Sequence, residues 1–196
     1  MKRFFLETLG ELGRGHCVIT TSPDGLGLGA YRPAEGDRVG AMYPPGATTE
    51  MSPDHPGQKL PDVVPNTLRY LILSSRTKSV VHAACEFVEI EYLALRIMNH
   101  KGRLHGDAFI INPIGALDCL DLGASQIEYL DEPGDDYHGA VVGVDRFVLD
   151  RSKLVDAPAL FRIKEEPFRY VIDERLAAPL MAGGFTNVVL EEIEQR

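Results

Sequence analysis

Cysteine is scarce in this chain. Its three thiols, Cys17, Cys85 and Cys119, are too few for a disulfide framework and too scattered for a Cys-x-x-Cys metal knuckle, so buried reduced thiols are expected. Long apolar runs are missing as well. No stretch approaches the roughly 18 to 20 residues that span a bilayer, and Glu7 and Glu11 interrupt the apolar core that a signal peptide would need in MKRFFLETLGELGRG. The expectation is a cytoplasmic protein with no membrane partner. Positive charge is the third shortage, with 20 lysines and arginines against 29 carboxylates and a net charge of −9, of which residues 101–196 supply −8. Such a field repels phosphates and attracts cationic surfaces over roughly 8 to 10 Å at physiological salt, which argues against direct nucleic-acid binding.

What is present describes a globular protein: 44% apolar and 25% charged residues over 196 positions, enough for one ordinary domain with a continuous core. Glycine and proline crowd the first third, in SPDGLGLGAYRP, YPPGATTEMSPDHPG and LPDVVPN, and permit only short strands there. We therefore divide the chain into a loop-rich segment, residues 1–65, packed on the same domain, and an α+β domain, residues 66–196. HCVITT (residues 16–21) is the best strand of the first part, and FFLETL (residues 4–9) is helix or strand. Spacing of Leu68, Leu71, Ile72, Val80, Val81 and Ala84 predicts a helix over residues 67–86, broken near Ser74 and Ser75.

Alternation of Val88, Ile90 and Tyr92 with Glu89, Glu91 and Leu93 predicts a half-buried strand over residues 87–98. Residues 100–107 read as a polar turn before the strand AFIINP. Further strands are expected at residues 126–130, at 140–150 with a bulge at Gly143, and at FRYVID and NVVLEEI. Between the last two, Asp173 is a natural N-cap, Glu174 suits the first helical turn, Leu176 and Leu180 share a face, and Gly183 and Gly184 end the helix. Pro179 should kink or shorten it, because an interior proline costs on the order of 3 kcal/mol. Strands outnumber helices and lack helical crossovers, so a largely antiparallel sheet with a few short helices is expected.

Three candidate chemical sites are weak. The run Asp24-Gly25-Leu26-Gly27-Leu28-Gly29 has no Lys-Ser/Thr behind it, so a turn is preferred to a phosphate loop. His100, His105 and Asp107 carry ligand chemistry without a ligand spacing. Asp118, Cys119 and Asp121 have no histidine near in sequence, and a buried thiol beside a turn-capping aspartate is preferred to a nucleophile.

The segments DAFIINPIGALDCLD (residues 107–121), RFVLDRSKL (146–154) and LFRIKEEPFRYVIDERLAAPLMAGGFTNVVLEEI (160–193) follow in an order that resembles an immunity-protein family of bacterial polymorphic-toxin systems, first defined from myxobacterial sequences. Its marks are matched by Asn112, Pro113, Asp118, Asp121, Asp150, Lys153, Phe161, Arg162, Glu165 and Pro167; Pro179 departs from the pattern. The resemblance is good over residues 104–193, faint over 66–100 and not visible in 1–65. It implies a non-enzymatic protein without cofactor that binds and neutralises a cognate toxin, encoded next door. Signature residues are then expected to build the scaffold, with Arg162 paired to a carboxylate inside the fold; a direct toxin contact is the alternative for Arg162 and likewise for Lys153. The interface is expected outside them, in the acidic turn Asp131, Glu132, Asp135, Asp136 and Tyr137 and in loops around Tyr31, Met42 and Tyr43, because tyrosine and methionine offer large adaptable contact area. The rival readings are a small metal-dependent hydrolase built on His100, His105 and Asp107, and a non-catalytic adaptor.

Overall fold

A computed structural model describes residues 1–11, 13, 15–130 and 141–196. Among them, the chain opens with β1 (Arg3–Leu6), then runs through a region of single turns in which α1 (Arg32–Glu35) lies between the 3-10 turns Gly27–Gly29 and Gly40–Met42. β2 (Thr48–Glu50) and β3 (Leu71–Leu73) precede α2 (Ser75–Ala84) and the long pair β4 (Ile90–Met98) and β5 (Leu104–Pro113). β6 (Gln126–Tyr129) and β7 (Val141–Arg146) follow, then β8 (Val148–Leu149), a 3-10 turn at Arg151–Leu154, β9 (Leu160–Arg162), β10 (Tyr170–Asp173), α3 (Glu174–Ala182), β11 (Leu190–Glu192) and β12 (Glu194–Gln195). This is an α+β fold with mostly antiparallel sheets.

Two four-stranded sheets form the body. One has the order β11-β1-β10-β9 and is antiparallel throughout; the other has the order β2-β4-β5-β3, with only β2 parallel to its neighbour. Because successive strand residues point to opposite faces, each sheet divides its side chains between two apolar layers. Tyr170 and Ile172 of β10 enter a central layer while Val171 enters an outer one. In the other sheet Leu71 and Leu73 join the same central layer, and Ile72, with Leu93, Leu95 and Ile97, enters the opposite outer layer. The central layer is closed by Val81 of α2 and by Leu176 and Leu180 of α3. The order is therefore layer, sheet, layer, sheet, layer.

Several expectations are corrected by this arrangement. Of the helix expected over residues 67–86, only the part beyond the break at Ser74 and Ser75 forms: β3 comes first, and Ser74 caps α2 by accepting from the Thr77 amide. Leu71, Ile72 and Leu73 are all buried, so β3 has two apolar faces and no alternation to betray it. Residues 16–21 form no regular strand; His16 and Ile19 make isolated bridges to Lys59, Met51 and Asn66. The polar turn ends at Arg103, and His105 and Asp107 lie within β5. β4 begins at Ile90, after Val88, and β11 begins at Leu190, after Val188. The ribbon is irregular beside Gly143 but not at it: Glu128 pairs with Gly143 and Tyr129 with Val141, leaving Val142 as an extra residue, and a second shift between Gln126 and Ile127 leaves Asp145 over. Asp173 caps α3 through the Arg175 amide, and the helix runs on through Pro179 to Ala182 before Gly183 ends it.

Candidate functional site

Arg162, at the end of β9, is fully buried and, among the described residues, pairs with no carboxylate. Its guanidinium donates to the carbonyls of Ala34 (2.6 Å), Pro167 (2.5 Å), Pro33 (2.6 Å) and Pro113 (3.2 Å), and to the Tyr170 hydroxyl at 2.9 Å. The expected ion pair is replaced by a fan of main-chain oxygens, which suits five N–H donors in one plane. The Tyr170 ring also lies 4.2 Å from the guanidinium carbon. Pro33 and Ala34 belong to α1, whose carbonyls have no helical partner ahead of them, so the cation satisfies the end of a one-turn helix. Gly36 then turns left-handed at φ 82°; a Cβ there would stand 2.9 Å from Arg162 Cδ and 3.0 Å from the Gly115 carbonyl.

A second anchor follows along the same loop. Asn112, buried at the end of β5, donates to the Asp37 carbonyl (2.8 Å) and to Glu91 (3.0 Å). Glu91 on β4 accepts from the amides of Val39 (2.9 Å) and Gly40 (2.8 Å). The Tyr70 hydroxyl donates to the Ala30 carbonyl and that of Tyr43 to the Ala94 carbonyl. Burial pushes the Tyr70 hydroxyl up to about 12. Tyr43 is thus a brace, whereas Tyr31 and Met42 are about half exposed and Leu28 is 97% exposed. A Cβ at Gly29 would lie 3.4 Å from Met42 Cε, which places the two 3-10 turns against each other.

Other signature residues make contacts away from the Arg162 guanidinium. Asp118 holds Lys153 at 2.8 Å and Lys164 at 3.8 Å, joining all three signature segments. The hydrogen bond and charge of Lys153 lower the Asp118 carboxyl below its usual range. Asp150 caps its turn through the Ser152 amide (2.9 Å), and Asp121 accepts from the amides of Gly123 and Ala124 (both 3.0 Å). Phe161 and Cys119 are buried together in an outer layer. Glu165 lines a cleft of about 510 Å³ with Glu7, Arg69, Val142 and Arg169.

Asp131, Glu132, Asp135, Asp136 and Tyr137 lie outside the described residues. Their flanking arms β6 and β7 form a two-stranded ribbon rooted by Ile127 and Val144, with Tyr129 and Val142 exposed. His100 makes a contact with the Gly57 carbonyl at 3.2 Å, while His105 and Asp107 sit exposed on β5. Among the described residues no three histidine, cysteine or acidic side chains are grouped to hold a metal, and no helix is long and apolar enough to cross a membrane.

Sequence reading overlooked Glu91, Tyr70 and Leu28. Glu91 carried a signal, as a carboxylate beside buried positions on an alternating strand; Leu28 carried one too, as a large apolar residue between glycines in a turn. Residues 23–195 match the model of a family described as "Immunity protein family (Imm11)". The match reaches well into the first sixty-five residues, where no resemblance had been visible. No curated protein matches the chain.

Proposed function

From the premise that the chain belongs to the immunity protein family Imm11, we propose that it neutralises one cognate toxin by stoichiometric binding in the cytoplasm, covering the toxin's active surface without chemistry or cofactor. The observation that carries this reading is the family match over most of the chain. The geometry supports it: Leu28, Tyr31 and Met42 project from a loop whose backbone is tied down, which is how a binding surface keeps its shape before its partner arrives. In this reading those three residues are the apolar centre of an interface of roughly 1,200 to 2,000 Å². Asp131, Glu132, Asp135, Asp136 and Tyr137 are further candidates for contact, the four carboxylates steering a basic toxin surface. Tyr43 contributes as a brace.

Co-expression with the product of the adjacent reading frame is the direct test. Growth rescue together with co-purification is expected; growth arrest without rescue and without a complex rejects the function. Replacing Asp135 and Asp136 together by lysine should slow association and flatten its salt dependence. Unchanged association kinetics in that double variant would remove the acidic turn from the interface.

A further inference from the structure

Residues 27–43 contain three single-turn helices and no strand. The main-chain hydrogen bonds within such a stretch close single turns only, so untethered it would sample many conformations. The tethers come from elsewhere, and those from Tyr70, Glu91, Asn112 and Arg162 act on main-chain atoms: Ala30, Pro33, Ala34, Asp37, Val39 and Gly40 are each held by one of those four side chains. Two of the four, Asn112 and Arg162, are signature residues. Gripping the main chain leaves the side chain of Leu28 outward and those of Tyr31 and Met42 about half exposed. Shape and contact chemistry are thereby assigned to different residues.

We propose that Arg162, Asn112 and Glu91 are positioning residues for toxin recognition, holding residues 33–40 in one conformation so that Leu28, Tyr31 and Met42 meet the toxin as a preformed surface. The role rests on reading those three as contact residues. Ordering a loop at the moment of binding weakens affinity for each residue ordered, so a loop ordered beforehand binds more tightly with the same contacts. Glu91 is the best handle, because it is only partly buried and its two amide bonds can be removed without emptying a core position.

The test compares Glu91→Ala, Glu91→Gln and the triple variant Leu28→Ala/Tyr31→Ala/Met42→Ala with the parent chain. Amide hydrogen exchange at Val39 and Gly40 is measured in each, as are association and dissociation rates against the purified product of the adjacent reading frame. Glu91→Ala should accelerate exchange at both amides and weaken binding roughly ten- to a hundredfold. Glu91→Gln, which keeps an acceptor, should fall between it and the parent and serves as the readable variant if Glu91→Ala unfolds. The triple variant should lose affinity with the parent's exchange rates. If the Glu91 variants exchange faster but bind as the parent does, or if exchange is unchanged, the positioning role is overturned. If instead the triple variant binds as the parent does, the contact assignment itself fails.

Discussion

Lysine at position 162 would keep the charge of Arg162 and lose its planar fork, leaving several of the carbonyls at Pro33, Ala34, Pro113 and Pro167 unpaired inside the protein. Each unpaired buried group costs about 1 to 3 kcal/mol, so Arg162→Lys should lower unfolding stability by at least about 3 kcal/mol, measured by urea denaturation. Cysteine chemistry gives a second check at this scale. Burial pushes the thiols of Cys17 and Cys85 up to about 11 and that of Cys119 up to about 12, so almost no thiolate exists at neutral pH. A thiol-specific disulfide reagent should label none of the three until the protein is denatured. Inert thiols were legible from sequence, because apolar neighbours surround Cys85 and Cys119. The partners of Arg162 were not: a carbonyl belongs to every residue type, and these four come from positions 33, 34, 113 and 167.

Helix α3 carries its proline at the sixth position, where an amide would otherwise bond to the Arg175 carbonyl. Pro179→Ala restores that donor and should raise stability by up to about 3 kcal/mol in the same denaturation experiment. The cap, the buried pair Leu176 and Leu180 and the glycine stop were all readable, since each depends on local sequence alone. β3 was not, because a strand buried on both faces looks like any other apolar run. Asp62 links the start of α2 to the segment after α3, accepting from Ser74 Oγ (2.8 Å) and from the Thr186 amide (2.8 Å) and hydroxyl (2.9 Å). Desolvation pushes its carboxyl up, but those hydrogen bonds and Arg76 outweigh it and hold it below the usual 3.8. A depressed folded-state value gives stability that is complete above 3.8 and is lost as pH falls through the folded value. Asp62→Asn should therefore destabilise by about 1 to 3 kcal/mol near neutral pH, and the gap to the parent chain should close in acid, as urea midpoints measured across pH 2 to 7 would report.

Over the whole molecule, fold class followed from counting alternating segments, and acidity from counting charges. Stacking of two sheets about one shared apolar layer did not, because strand pairing joins residues distant in sequence. β1 shows this most plainly. Its residue Arg3 faces Asp173 on β10, and Phe4 faces Glu192 on β11, so the second strand of this sheet is made first and both of its neighbours are made last. On the ribosome, residues 3–6 have no sheet partner until residues 170–173 and 190–192 have been made. Contacts of such high sequence separation place the chain among slow folders, where closing the loop precedes any reward for closing it. A newly made copy therefore lacks its finished sheet for a time, and under the proposed function neutralisation depends on copies that finished folding earlier.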